Sequence, residues 1–128
     1  RGIFCEAMFD ALKRHRIMPQ RIEVEITENI CIGNPQQTVE QLHRLHAMGV
    51  STAIDDFGTG YSSLAYLHRF PVDTIKIDQS FVREIARENG HYPVVLAIIS
   101  IARGLKLNLV AEGVETEAQC NYLKAHGC

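Results

Sequence analysis

The chain has 128 residues, enough for one domain with its own hydrophobic core. Hydrophobic residues make up 46% and charged residues 22%, which excludes a disordered or fibrous chain. A formal net charge of −2 gives no basic field for nucleic acid or an anionic membrane, and no apolar run reaches the about 18 residues of a membrane span.

The opening segment "FCEAMFDALKRHRI" reads as a helix whose end, Arg14, His15 and Arg16, is solvated. "RIEVEIT" over 21–27 alternates strictly, with Ile22, Val24 and Ile26 on one side and Glu23 and Glu25 on the other, the period of a strand. A helix then opens at "NPQQ": Asn34 caps it, Pro35 suits its first turn, and Gln37 stands at the capping-box position. Val39, Leu42, Leu45 and Met48 form its apolar stripe, and Gly49 ends it. His43 and His46, three apart on that helix, read as a solvated face, since no third ligand is near.

"VSTAID" is the second expected strand, followed by a short helix over 63–69 that Pro71 stops. "TIKID" over 74–78 is the third strand. "SFVREIAREN" is expected as one helix closed by Asn89-Gly90. "YPVVLAIISIARGL" is a second helix, with Val94, Ile98, Ile101, Ala102 and Leu105 on one face. That face suits the core, with a dimer seam as the alternative. "NLVAEG" over 108–113 is the fourth strand, and Thr116 with Gln119 caps a last helix. The four cysteines, Cys5, Cys31, Cys120 and Cys128, have no Cys-x-x-Cys spacing and are expected as reduced thiols.

Strand-then-helix order predicts an α/β fold with a parallel sheet and right-handed crossovers. Each strand carries polar or small residues on one side, among them Glu25, Asp55, Lys76 and Glu112. An open sheet buried on both faces would instead show continuous apolar runs. The alternation suits part of a (β/α)8 barrel of the TIM type, about four βα units, with its charges at the strand ends where barrel sites are built. Four strands cannot close such a barrel, so the chain is expected to be a fragment of a larger domain.

If those strands are neighbours, Glu25, Asp55, Asp56, Lys76 and Glu112 meet on one rim. Several carboxylates with one amine suit hard divalent cations bound through oxygen. Adjacent strand residues face opposite ways, so Asp55 and Asp56 can share a site only if the chain turns between them. Such a site could clamp a phosphate, with Lys76 orienting a water and Glu112 holding an ion or taking a proton. Structural ion pairing across the rim is the alternative. The stretch "FGTGYSS" matches neither a dinucleotide fingerprint nor a kinase motif. It reads as a tight turn or as a loop gating the site, held by Glu28 through backbone N–H groups.

The stretches "EVEITEN", "STAIDDFGTGYSSLAYLHRFPVDTIKIDQSFV" and "LVAEGVETEAQ", in this order and spacing, resemble the EAL family of bacterial cyclic di-GMP phosphodiesterases. The resemblance runs over nearly the whole chain from Arg21 onward. It implies a modified (β/α)8 barrel with one antiparallel strand, and hydrolysis of one phosphodiester bond of cyclic di-GMP with two Mg²⁺ or Mn²⁺ ions. It implies Glu25, Asp55 and Asp56 as metal ligands, Lys76 as the lysine on the catalytic water, and Glu112 as metal ligand or general base. Glu28 is implied to fix the loop Phe57, Gly58, Thr59 and Gly60, and Glu115 to support the site. A homodimer through the loop and helix after Asp56 is also implied.

The family's Glu-Ala-Leu motif and a metal-binding asparagine belong to strands expected before Arg1, and a glutamine near the metals to a segment after Cys128. Residues 1–128 are therefore expected to be a single partial EAL domain, inactive alone within an active parent. An inactive domain serving as cyclic di-GMP receptor or dimerisation module is the alternative. A cytoplasmic setting and fused sensor or diguanylate-cyclase-like domains are expected.

Overall fold

The computed structural model describes residues 2–59, 67–85 and 92–128. Helix α1 (Gly2–Arg14) leads through a short 3-10 turn, Pro19–Arg21, into β1 (Glu23–Thr27). There follow α2 (Glu28–Gly33), α3 (Pro35–Met48), β2 (Ser51–Phe57), β3 (Thr74–Ile77), α4 (Gln79–Val82), α5 (Pro93–Gly104), β4 (Asn108–Ala111) and α6 (Glu117–Ala125). The strands form one sheet in the order β1-β2-β3-β4, all parallel. Consecutive order with a constant crossover hand places the connecting helices on one side, the curl of a barrel wall. The antiparallel strand implied by the resemblance is not among the described residues.

Register sorts the side chains as the alternation predicts. Glu25 pairs with Ala53, Thr27 with Asp55 and Lys76 with Val110, so these share one face. Ile54 pairs with Ile75, and Ile77 with both Phe57 and Ala111, on the other. That second face packs with Leu42 and Leu45 of α3 and Val95, Ile98, Ile99 and Ala102 of α5 in one buried cluster. The expected stripe on α5 is thus corrected: Val95, Ile98, Ile99 and Ala102 are buried, while Val94 is exposed. Ile98 and Ala102 are buried as expected and Ile101 and Leu105 are half-buried against the core, so the buried face is the expected one turned toward Val95 and Ile99.

Caps agree with the sequence at α3 and α6. The Asn34 side chain accepts from Gln37 N–H, although Gln37 answers the Asn34 side chain instead of its backbone. Thr116 and Gln119 form the full reciprocal capping box. Helix α2 was not predicted; its six residues are too few to show a period. Of the helix expected over 80–89, the described residues form a helix over Gln79–Val82, capped by Asp78, and turns over 83–85; positions 86–89 lie outside them. The closure at Asn89-Gly90 and most of the helix expected over 63–69 lie outside the described residues, as does the side chain of Cys31. Among the described side chains Cys5, Cys120 and Cys128 are free thiols. No helix among the described residues is long and apolar enough to cross a membrane.

One polar residue stitches three strands together below the site. Asp73 accepts from Thr52 N–H at 2.9 Å through its carboxylate, donates its own N–H to Thr52 O, and accepts from Asn108 N–H. Thr52 is fully buried, so its N–H cannot turn to water. Asp73→Ala is expected to cost about 1–3 kcal/mol, while Asp73→Asn, which keeps an acceptor oxygen, recovers most of that. The midpoint of urea unfolding of this domain reads the difference.

Candidate active site

The site begins with a break in β2. Pairing with β3 slips between Ile54 and Phe57, and Asp56 lies in the left-handed region with φ 54°. Aspartate tolerates this conformation better than bulky residues. Asp55 braces the turn by accepting from Asp56 N–H at 2.9 Å. The slip inserts an extra residue, as a β-bulge does. Asp55 stays on the polar face, Asp56 swings out of the strand line, and Phe57 returns to the core, where it is buried. The turn required for two adjacent acids to serve one site is present.

Lys76 reaches across this break. Its ammonium forms a hydrogen-bonded ion pair with Glu25 Oε1 and lies 3.5 Å from Glu112 Oε1. Glu25 and Lys76 stand on strands separated by β2, about 9–10 Å apart. Ala53, level with both Glu25 and Thr74, puts only a methyl group on this face between the outer strands. Glu112 follows β4 directly, with its N–H bonded to Ile77 O, which ties it to the top of β3. The hydrogen bond to Glu25 holds the Lys76 ammonium above the ordinary lysine range, reinforced by the nearby carboxylates against a smaller effect of burial.

The acids outnumber the ammonium, and their hydrogen bonds and mutual repulsion move their pKa values apart. A hydrogen bond to Asp55, then burial and the Asp55 charge, raise the pKa of Glu112 against the pull of Lys76. Asp56 is raised first by a hydrogen bond to Asp78, then by the charge of Asp55. Asp78 is lowered, because the Ser80 hydroxyl and N–H both donate to it. Of the two, Asp56 is therefore the weaker acid.

Asp78 was not assigned a role from the sequence, yet it completes the acidic rim. The signal was available: it lies two residues beyond Lys76, and so on the same side of β3.

Glu28, at the start of α2, is buried and accepts from Gly58 N–H at 3.3 Å. Thr59 closes the turn, donating its N–H and its hydroxyl to Asp56 O at 3.2 and 2.6 Å. Phe57, Gly58 and Thr59 thus form a tight turn directly beside the acids; Gly60 lies outside the described residues. So does most of the loop and helix expected to make a dimer contact. Glu115 is exposed on the loop after β4, with its N–H bonded to Gln119 Oε1 at 2.8 Å. Among the described residues its side chain makes no contact with the cluster. His43 and His46 are exposed, as a solvated face requires. Glu28→Ala is expected to cost about 10–100-fold in turnover with folding retained, because the turn holding Asp56 loses an acceptor. Steady-state kinetics beside a circular dichroism melt separates the two effects.

The donor set fits a hard divalent cation: Glu25, Asp55, Asp56, Asp78 and Glu112 offer only oxygen, on one rim, with excess negative charge. Among the described residues no three of these acids stand close enough to share one ion as they are placed. Lys76 occupies the space between Glu25 and Glu112 instead.

Residues 1–128 match the EAL domain family. The cyclic di-GMP phosphodiesterase NbdA of Pseudomonas aeruginosa is 48% identical over 128 residues, all of this chain and 16% of the relative. The bifunctional diguanylate cyclase/cyclic di-GMP phosphodiesterase MucR of the same organism is 44% identical over 123 residues, 96% of this chain and 18% of its own length. The solved PaMucR phosphodiesterase in complex with c-di-GMP superposes with a TM-score of 0.90 at 44% identity, covering 96% of this chain and 50% of that one. A manganese/cy-diGMP complex of Klebsiella pneumoniae BlrP1 has a TM-score of 0.83 at 34% identity, covering 95% of this chain and 31% of that one. The chain thus spans less than a fifth of the curated relatives and at most half of these solved chains. The α/β fold is TIM-barrel-like, and the chain belongs to the EAL domain family.

Proposed function

We propose that the protein carrying this chain is a metal-dependent phosphodiesterase that hydrolyses one phosphodiester bond of cyclic di-GMP, giving linear pGpG. The observation that carries this reading is the Lys76 ammonium held between Glu25 and Glu112, with Asp55 against Glu112, above the C-terminal ends of neighbouring parallel strands. Barrel enzymes build their sites at that end. The names of NbdA and MucR support the reaction, and the PaMucR and BlrP1 complexes support the ligand.

Glu25, Asp55, Asp56 and Glu112 are the residues we assign to hold divalent ions, Mg²⁺ or Mn²⁺, and Asp78 supports Asp56. Such ions, when bound, polarise the phosphoryl oxygens and lower the pKa of an attacking water. Lys76 directs its N–H groups at that water or at a phosphate oxygen, where developing charge is stabilised. Glu112 is poised to take the water proton at a carboxylate oxygen. Hydroxide adds to phosphorus, one P–O ester bond breaks, and the departing sugar oxygen gains a proton. Glu28 and the turn of Phe57, Gly58 and Thr59 keep Asp55 and Asp56 in place; a part for Gly60 in that loop and a supporting part for Glu115 rest on the family likeness alone. The four strands form part of a closed (β/α)8 barrel, whose other strands supply further ligands. By this reading the 128 residues alone hold metal weakly and turn over negligibly, because the remaining acids repel one another. A homodimer through the segment after Asp56, fused signalling domains and a cytoplasmic setting belong to the same reading.

The test is the full-length protein with cyclic di-GMP and Mg²⁺ or Mn²⁺, the product followed by chromatography. Linear pGpG that vanishes with a chelator and returns with added metal is expected. Tight cyclic di-GMP binding without turnover, with metal shown to be bound, would replace this reading by that of a receptor.

A further inference from the structure

The two loops that carry the acids both close on the single turn of α4, and each does so at a glycine. Gly58, two residues after Asp56, has φ 94°, and a Cβ there would lie 3.0 Å from Phe81 Cε2 and 3.3 Å from Ile98 Cδ1. Gly113, directly after Glu112, has φ 73°, and a Cβ there would lie 2.7 Å from Gln79 Cβ. Both backbone conformations disfavour any other residue; a Cβ at Gly113 has no room, and one at Gly58 would push on the Phe81 ring. Helix α4 itself is anchored from beneath, since Val82 and the following Ile85 are buried in the core. Phe81 is half-buried and its ring meets the turn at Gly58, whose N–H Glu28 accepts. The Asp55–Asp56 turn is therefore held at Gly58 by a hydrogen bond and an aromatic ring together.

We propose that α4 gauges the separation between the Asp55–Asp56 turn and Glu112, and that Phe81 is the positioning residue that does this through Gly58. This rests on the reading of the rim as a divalent-ion site. An aromatic ring suits the role because it is large and has only two side-chain torsions, so it holds a backbone at a set distance. The Phe81 N–H bonds the Asp78 carbonyl within α4's own cap, while its ring meets the turn at Gly58, so truncating the ring acts through the turn.

The test uses the full-length protein with Phe81→Leu, Phe81→Ala, Gly58→Ala and the double variant Gly58→Ala/Phe81→Ala. The dissociation constant for Mn²⁺ is read from the electron paramagnetic resonance signal of the free ion. Hydrogen–deuterium exchange of residues 55–59 and 112–114 is measured without metal. Phe81→Ala is expected to weaken Mn²⁺ binding about tenfold and Phe81→Leu about twofold or less. Gly58→Ala weakens it as well, and adding Phe81→Ala then costs less than it does alone, because the added methyl has lost the ring it strikes. Backbone strain at Gly58 is common to both arms of the cycle and cancels. Fold-changes that simply multiply, or Mn²⁺ affinity unchanged in every variant while melting temperature falls, overturn the proposal. A wild-type protein that binds no Mn²⁺ overturns the metal reading instead. The positioning role is then decided by exchange: faster exchange of both segments in Phe81→Ala supports it, and unchanged protection of both overturns it.

Discussion

Lys76→Met in the full-length protein is expected to lower kcat by about 100- to 1,000-fold while Mn²⁺ affinity is kept or tightened. The size follows from removing one preorganised donor from a charged transition state. The direction of the metal effect follows from position. The Lys76 ammonium already neutralises Glu25 and Glu112, so it competes with any cation for the same oxygens. Its removal frees those acids for metal and leaves the reacting phosphate without its donor. Lys76→Arg does not rescue, because a planar guanidinium cannot take the place of a compact ammonium between Glu25 and Glu112. Steady-state kinetics with a parallel Mn²⁺ titration checks both halves. Unchanged kcat removes Lys76 from the chemistry, and collapsed Mn²⁺ binding with a lowered melting temperature makes it a structural ion-pair partner.

Ile75→Ala is expected to cost about 2–5 kcal/mol in stability, and Ile75→Val about 0.5–1.5 kcal/mol. Ile75 is fully buried on β3, between Ile54 and Leu109 in register on the flanking strands, with α5 beneath. Truncation leaves a cavity that no flexible neighbour can fill, since the surrounding side chains are branched and held by the sheet. The next residue on the same strand is Lys76, so loosening β3 also loosens the ammonium. The unfolding midpoint in urea measures the first effect, and activity at a temperature well below that midpoint measures the second. A loss below 1 kcal/mol for Ile75→Ala would place the core elsewhere.

Much of this architecture was legible in the residues. The period-two pattern of "RIEVEIT" identified β1 because only one of its faces meets the helices, and water accepts the other. Asn34 and Thr116 marked helix starts because a cap is a local hydrogen bond, made within three residues. Asp55 and Lys76 could be placed on one face because alternation in a strand is strict. Local signals failed where distant packing decides. The register on α5 was misjudged because nearly every position there is apolar, so its sequence shows no polar side; the sheet selects Val95, Ile98, Ile99 and Ala102. Helix α4 gives way after one turn to i→i−3 bonds, Glu84 N–H to Phe81 O and Ile85 N–H to Val82 O, a change no local signal in the sequence marks.

The residues alone determined which groups are available: acids and one amine at the ends of parallel strands, with glycines beside them. Only the tertiary structure decided how they meet. The slip in β2 that turns Asp56 aside, the reach of Lys76 across β2 to Glu25, the meeting of Asp56 with Asp78, and the seating of Gly58 on Phe81 all depend on distances between strands. Those distances are set by side chains far apart in the chain packing together, and hydrogen bonds and charge act only across the gaps that packing leaves.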